Sequence, residues 1–221
     1  MSEFTIETPR GTARAHLSSP GSLPPTAALI LGHGAGGGVG APDIQAAARA
    51  ACDVGYTVAL VEQPYRVAGR RAPAPAAHLD EAWVAVVAWL AERELAGLPL
   101  VTGGRSLGAR VACRTAAATT SVGVLCLAFP LQPPRRASAT APSASRLSEL
   151  EAVAVPTLVV QGVTDRFGIP PAGRGRDVVT VPGDHGLKAD VPAVGRAVGE
   201  WLAHLARHRE TQPTGRAAAG R

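Results

Sequence analysis

Aromatic residues are scarce, with three Trp, two Tyr and three Phe in 221 residues. A core built from this chain must therefore be filled by Ala, Val and Leu on short, regularly alternating elements, as in an ordinary α/β domain. Lysine is nearly missing: of 22 basic residues, Lys188 is the single lysine and the rest are arginine. Those arginines are scattered, and no segment combines a dense basic face with interleaved aromatics. The net charge of +5 thus gives no indication of a nucleic-acid partner. Cysteine is limited to Cys52, Cys113 and Cys126, odd in number, far apart and set in apolar or alanine-rich stretches. That excludes a disulfide framework and a clustered thiolate metal site, and it reads as reduced core thiols in a cytoplasmic protein. No run approaches the roughly 20 apolar residues of a membrane span, and residues 1–17 lack the basic start and apolar core of a leader. Neither membrane insertion nor secretion is expected.

The length suits one α/β domain with a sizeable core. We expect a single domain over residues 1–209 and a disordered tail over 210–221. Phe4–Thr8 and Thr12–Leu17 alternate like edge strands and form an opening hairpin. Strands are then expected at Ala27–Leu31, Tyr56–Val61, Leu100–Gly103, Val122–Ala128, Thr157–Gln161 and Asp177–Val181. Helices are expected at Pro42–Val54, Leu79–Ala96, Leu107–Ala117 and Val191–His208. Val- and Leu-rich strands without polar alternation imply a sheet covered on both faces. The repeated strand–helix order implies a doubly wound, mostly parallel sheet without a folded cap. Residues 63–77 and 132–145 read as irregular, the second supplying at most a short flap over an open site for small substrates.

Four segments carry chemistry, each just after a strand. Gly104-Arg105-Ser106-Leu107-Gly108 is a G-x-S-x-G match between a strand and a helix. There a tight turn would push the serine out at the carboxyl end of the sheet. His33-Gly34-Ala35-Gly36-Gly37 follows the strand Ala27–Leu31, where glycines let backbone amides turn toward a substrate oxygen. The amides of Ala35 and Leu107 are the expected oxyanion donors, with His33 bracing the loop. Asp165 follows Thr157–Gln161, and His185 follows the strand ending at Val181. The order Ser, Asp, His along the chain is that of α/β-hydrolases and differs from other serine hydrolase folds.

The chain accordingly resembles the α/β-hydrolase superfamily. Within it, the chain is similar to small dienelactone-hydrolase-like bacterial proteins, whose eukaryotic relatives include a testis-expressed protein and a histone-acetylation complex subunit. The residues that carry the resemblance are Gly32 to Gly37, Pro64-Tyr65 with Gly69 to Pro73, Gly103 to Gly108, Gln161-Gly162 with Asp165 and Phe167-Gly168, and Gly183-Asp184-His185 with Leu187-Lys188. The sequence departs from the family pattern at Ala109, Gln132 and Arg166, where glycine, histidine and proline are usual. The resemblance implies Ser106 as nucleophile, His185 as general base and Asp165 as the group orienting it. The substrate would be a small ester, lactone or thioester, and this chemistry needs neither metal nor organic cofactor.

His33, Gly34, Tyr65, Arg70 and Arg105 are candidate substrate contacts. Arg66, Arg70, Arg71, Arg105 and Arg166 all fall in loops at the same sheet edge and could bind an anionic group, although arginines that merely brace loops fit equally well. Two other readings compete with the hydrolase. Gly32 to Gly37 also satisfies G-x-G-x-x-G after a strand, with Glu62 closing the next strand, as in a dinucleotide binder. Alternatively, the fold could be a binding or scaffold protein with a vestigial triad. His204 and His208 have a zinc-like spacing but lack the glutamate between them that a metalloprotease needs.

Overall fold

A computed structural model describes residues 2–21, 24–133 and 144–210. The chain opens with a hairpin of β1 (Ser2–Thr8) and β2 (Gly11–Ser18), antiparallel to each other. It continues through β3 (Ala27–Gly32), α1 (Pro42–Asp53), β4 (Tyr56–Glu62), α2 (Pro64–Val67) and α3 (Ala76–Glu92). Next come β5 (Leu100–Arg105), α4 (Leu107–Thr115), β6 (Gly123–Leu127) and α5 (Leu147–Glu151). The chain closes with β7 (Thr157–Gly162), β8 (Arg176–Val181) and α6 (Val191–Glu210). The strands form one sheet in the order β1-β2-β4-β3-β5-β6-β7-β8, parallel from β4 to β8. This is the α/β-hydrolase fold, with the hairpin attached antiparallel along β4.

Two-faced burial explains the apolar runs. In β3, Leu29 and Leu31 pack with Ile44 and Ala47 of α1 and Val198 and Leu202 of α6. Ala28 and Ile30 point the other way, against Trp83, Val86 and Leu90 of α3. Successive side chains alternate across the sheet, so a strand covered on both faces has no place for water-facing residues. Among the described residues no helix is long and apolar enough to cross a membrane.

Two helices went unforeseen. Both α2 and α5 are single turns, four and five residues long, too short to complete a recognisable 3.6-residue pattern. Helix α3 begins at Ala76, just after Pro75, and stops at Glu92, earlier than the expected Ala96. Residues 93–97 instead turn back through Gly97 at φ +78°. The expected tail falls outside the described residues except for Glu210, the last residue of α6, and most of the expected flap, residues 134–143, does so too.

Because β3 and β5 to β8 are parallel and in register, their carboxyl ends share one edge. Gly32 pairs with Gly104, Gly104 with Cys126 and Gly162 with Val181. All four segments singled out by their chemistry leave the sheet there.

Candidate active site

Ser106 sits between β5 and α4 at φ 52°, ψ −103°, a left-handed conformation that a side-chain-bearing residue adopts only when its surroundings impose it. Its amide donates to Leu127 O at 2.8 Å, which ties the turn to β6. The turn is possible because glycines flank it. A Cβ on Gly104 would lie 2.6 Å from Gly32 O, and one on Gly108 would lie 2.6 Å from the same oxygen. Strand β3, strand β5 and helix α4 therefore meet backbone to backbone beneath the serine.

His185, in the loop after β8, reaches across. Its Nε2 is 2.9 Å from Ser106 Oγ and its Nδ1 is 2.7 Å from Asp165 Oδ2. An ionised carboxylate can only accept, so Nδ1 carries the proton and Nε2 is left to accept the serine O–H. Asp165 is buried and its other oxygen accepts the Phe167 amide at 2.9 Å. The Phe167 ring stands edge-on to the imidazole at 4.5 Å, and the Arg166 guanidinium covers that ring at 4.8 Å. The three residues expected as a triad are thus brought into one hydrogen-bonded chain from positions 106, 165 and 185.

Gln161, at the end of β7, received no role from the sequence, although it belongs to the motif Gln161-Gly162. It is fully buried. Its Nε2 faces three acceptors: Asp165 Oδ2 at 2.7 Å, Gly168 O at 3.0 Å and Phe129 O at 3.1 Å. With two hydrogens for three acceptors, at least one bond is shared. Gln161 thus pins the same carboxylate oxygen that accepts the hydrogen bond from His185 Nδ1–H. A glutamine ending a buried strand was the available signal, since a buried amide must find partners nearby.

The glycine-rich loop lies against the nucleophile. A Cβ on Gly34 would come 3.7 Å from Ser106 Cβ, so Ala35 adjoins the serine turn. Leu107 is the first residue of α4, where an amide has no partner within the helix. Tyr65, buried in α2, donates its hydroxyl to Ala35 O at 3.3 Å. It braces the loop, and its ring lies 5.7 Å from that of His33. His33 itself donates from Nδ1 to Gly34 O at 2.9 Å and accepts the Gln63 amide on Nε2 at 3.2 Å.

Burial, partly offset by the bond to Gly34, pushes the His33 imidazole below its usual pKa of 6.5. The ring is neutral in the fold. Unfolded, it takes up a proton near pH 6.5; folded, it does so only at lower pH. The unfolded chain therefore binds more protons across that interval, and stability falls as pH drops from 6.5 toward the lowered value. Urea unfolding at pH 7.5 and pH 5.5 should show a loss for the wild type that is clearly smaller in His33→Gln. Equal losses would remove His33 as the cause.

Two of the arginines expected as substrate contacts make the following contacts. Arg105 is turned inward, with Nε 2.9 Å from Asp43 Oδ2 and Nη2 donating to His185 O at 2.9 Å. Arg70 is exposed and borders a cavity of about 330 Å³ with Arg10, Gln63 and His78, whose walls include none of Ser106, Asp165 and His185. Neither position was legible, because both depend on contacts between remote segments.

The dinucleotide reading does not survive the geometry. Nine residues lie between Gly32 and Pro42, the start of α1, so no helix N-terminus follows the glycines closely enough to cradle a pyrophosphate. Glu62 faces Arg14 at 3.7 Å and His16 at 3.5 Å. His204 and His208 stack ring edge to ring face at 4.1 Å on α6.

A family model described as an alpha/beta hydrolase domain matches residues 25–189, well over half of the chain. The fold is similar to Est1E from Butyrivibrio proteoclasticus, with TM-score 0.76, 16% identity and 94% of this chain covering 100% of that one. It is similar to a dienelactone hydrolase from Anabaena variabilis, with TM-score 0.70, 18% identity and coverage of 92% and 97%. An α/β serine hydrolase without lid from Xanthomonas campestris gives TM-score 0.68, 21% identity and coverage of 94% and 94%. At such identities the likeness is one of fold. Curated protein sequences give no match.

Proposed function

Since the chain belongs to the alpha/beta hydrolase domain family, we propose that it is a serine hydrolase that cleaves small esters, lactones or thioesters through an acyl-enzyme. The observation that carries this reading is the hydrogen-bonded chain Ser106 Oγ–His185 Nε2 and His185 Nδ1–Asp165 Oδ2, at 2.9 and 2.7 Å. That chain starts from a serine on a strained turn at φ 52°.

In this mechanism His185 Nε2 takes the Ser106 proton as Oγ attacks the carbonyl carbon. The amides of Ala35 and Leu107 receive the developing oxyanion, where losing one donor typically lowers the rate by about 10² to 10³. The α4 N-terminus adds a favourable dipole for the same charge. His185 then gives its proton to the departing alcohol or thiol as that bond breaks, and water repeats the cycle on the acyl-enzyme. Asp165, fixed by Gln161 and the Phe167 amide, keeps Nδ1 protonated and stabilises the imidazolium.

The activity named for the Anabaena neighbour, a dienelactone hydrolase, agrees with carboxylic-ester chemistry. A reducing, cytoplasmic setting is supported by three free cysteines. Cys113 and Cys126 lie 3.5 Å apart, sulfur to sulfur, without a disulfide. The test is turnover of acetyl and butyryl p-nitrophenyl esters, a lactone and a thioester by the wild type. At least one class should be hydrolysed with saturation kinetics. A folded protein that turns over none of them would favour the vestigial-triad reading.

A further inference from the structure

Arg105 stands between Gly104 and Ser106, so its backbone is part of the turn that presents the nucleophile. Its side chain, 17% exposed, is turned inward. Nε lies 2.9 Å from Oδ2 of Asp43, in the first turn of α1, whose side chain is 1% exposed. Nη2 donates to the main-chain oxygen of His185 at 2.9 Å. Nη1 lies over Gly34, so close that a Cβ there would come within 2.9 Å of it. One guanidinium therefore touches the start of α1, the histidine loop and the glycine-rich loop beside the serine.

We propose that Arg105 is a positioning residue, anchored by Asp43, that clamps the His185 loop and the Gly34 turn onto the nucleophile strand. The proposal rests on the reading of Ser106 as nucleophile. The sheet order shows why such a clamp is needed. The glycine-rich loop leaves β3 on one side of β5, while the His185 loop leaves β8, three strands away on the other side. The Ser106–His185 hydrogen bond also joins the two sides, but it is remade at each step of turnover. Arg105 keeps its charge throughout and offers a planar fork that can hold two partners in fixed directions. An ionised Asp43 this deeply buried is tolerable only beside a cation. Burial pushes its carboxyl above the usual pKa, and Arg105 offsets part of that rise. Two of its three nitrogens thus face partners inside the fold, Asp43 and the His185 carbonyl, which fits a bracing role.

The test compares Arg105→Met, Arg105→Lys, Arg105→Ala and Asp43→Asn with the wild type. Misplacing a base by about 1 Å lowers rates by about 10²-fold, so Arg105→Met should lower kcat about 10- to 100-fold with KM changed less than about threefold. Lysine, a point charge, should recover only part of that loss. Asp43→Asn should shift kcat in the same direction by less. Millimolar guanidinium should restore activity to Arg105→Ala. Independently of turnover, the downfield proton NMR signal of the His185 Nδ1–H bond to Asp165 should be present in the wild type and shifted or broadened in Arg105→Met and Arg105→Lys.

Wild-type kcat and an unchanged NMR signal in the folded variants would overturn the clamp while leaving the hydrolase reading intact. A lower melting temperature with kcat and signal unchanged would overturn it equally, since that is what a merely structural role predicts. A perturbed signal in variants of a protein that hydrolyses no ester would support the clamp and count against the hydrolase reading. If Arg105→Met and Arg105→Ala fail to fold, Arg105→Lys and Asp43→Asn give the same readouts.

Discussion

Ser106→Ala is expected to lower kcat for ester hydrolysis by about 10⁴-fold or more, to whatever the oxyanion donors and substrate binding supply alone. The variant loses the oxygen that forms the acyl bond, and no neighbouring group can replace it. The residue nearest along the hydrogen-bonded chain is His185, which needs a nucleophile to activate. His185→Ala should fall by a similar factor, and the double variant should be no worse than either single one. Residues that act as one unit lose their function once. The fold should persist in Ser106→Ala. The Leu127 carbonyl holds the residue 106 amide, at 2.8 Å, and that bond does not involve the side chain. Melting temperature should therefore change little while turnover disappears. A double variant much slower than both singles would mean that serine and histidine act independently.

Gly108→Ala is expected to give a large loss of stability. The reason is space, not conformational freedom, since Gly108 has no positive φ. Its Cβ would meet Gly32 O at 2.6 Å, Gly32 C at 2.7 Å and His33 O at 2.9 Å, all of them backbone atoms. No side chain can swing aside, so α4 must move away from β3. Overpacking of this kind costs about 3 kcal/mol when the neighbours are rigid, or roughly 6 to 12 °C in melting temperature for a domain of this size. The same shift moves Leu107 away from the glycine-rich loop, so activity should fall in whatever fraction stays folded. Gly40→Ala is the control, because a Cβ there meets nothing within 4 Å. Its stability should stay within about 0.5 kcal/mol of the wild type. Equal melting temperatures for both variants would contradict the backbone contact.

These two predictions also mark what could be read from the chain alone. The strand ends at Ser106, Asp165 and His185 were legible because each follows a short apolar run, and parallel strands bring such ends to one edge. The turn at Ser106 was legible because glycines flank it. What could not be read are contacts whose partners are remote in sequence. Arg105 and the His185 carbonyl are 80 residues apart, and nothing in G-x-S-x-G tells whether the arginine points outward to a substrate or inward to Asp43. Arg70 is a similar case, since its loop after α2 borders a cavity shared with Arg10 and His78. Gln161 is an intermediate case. Its place at the end of a buried strand was legible, but its hold on Asp165 depends on the turn after β7.

Reaction with a fluorophosphonate followed by intact-mass and peptide mass spectrometry tests the central claim most directly, because it needs no knowledge of the substrate. The account predicts one phosphonyl group per chain in the wild type, carried by the peptide containing Ser106 and lost in Ser106→Ala. A folded wild type that takes up no label, or a label that persists in Ser106→Ala, would contradict it.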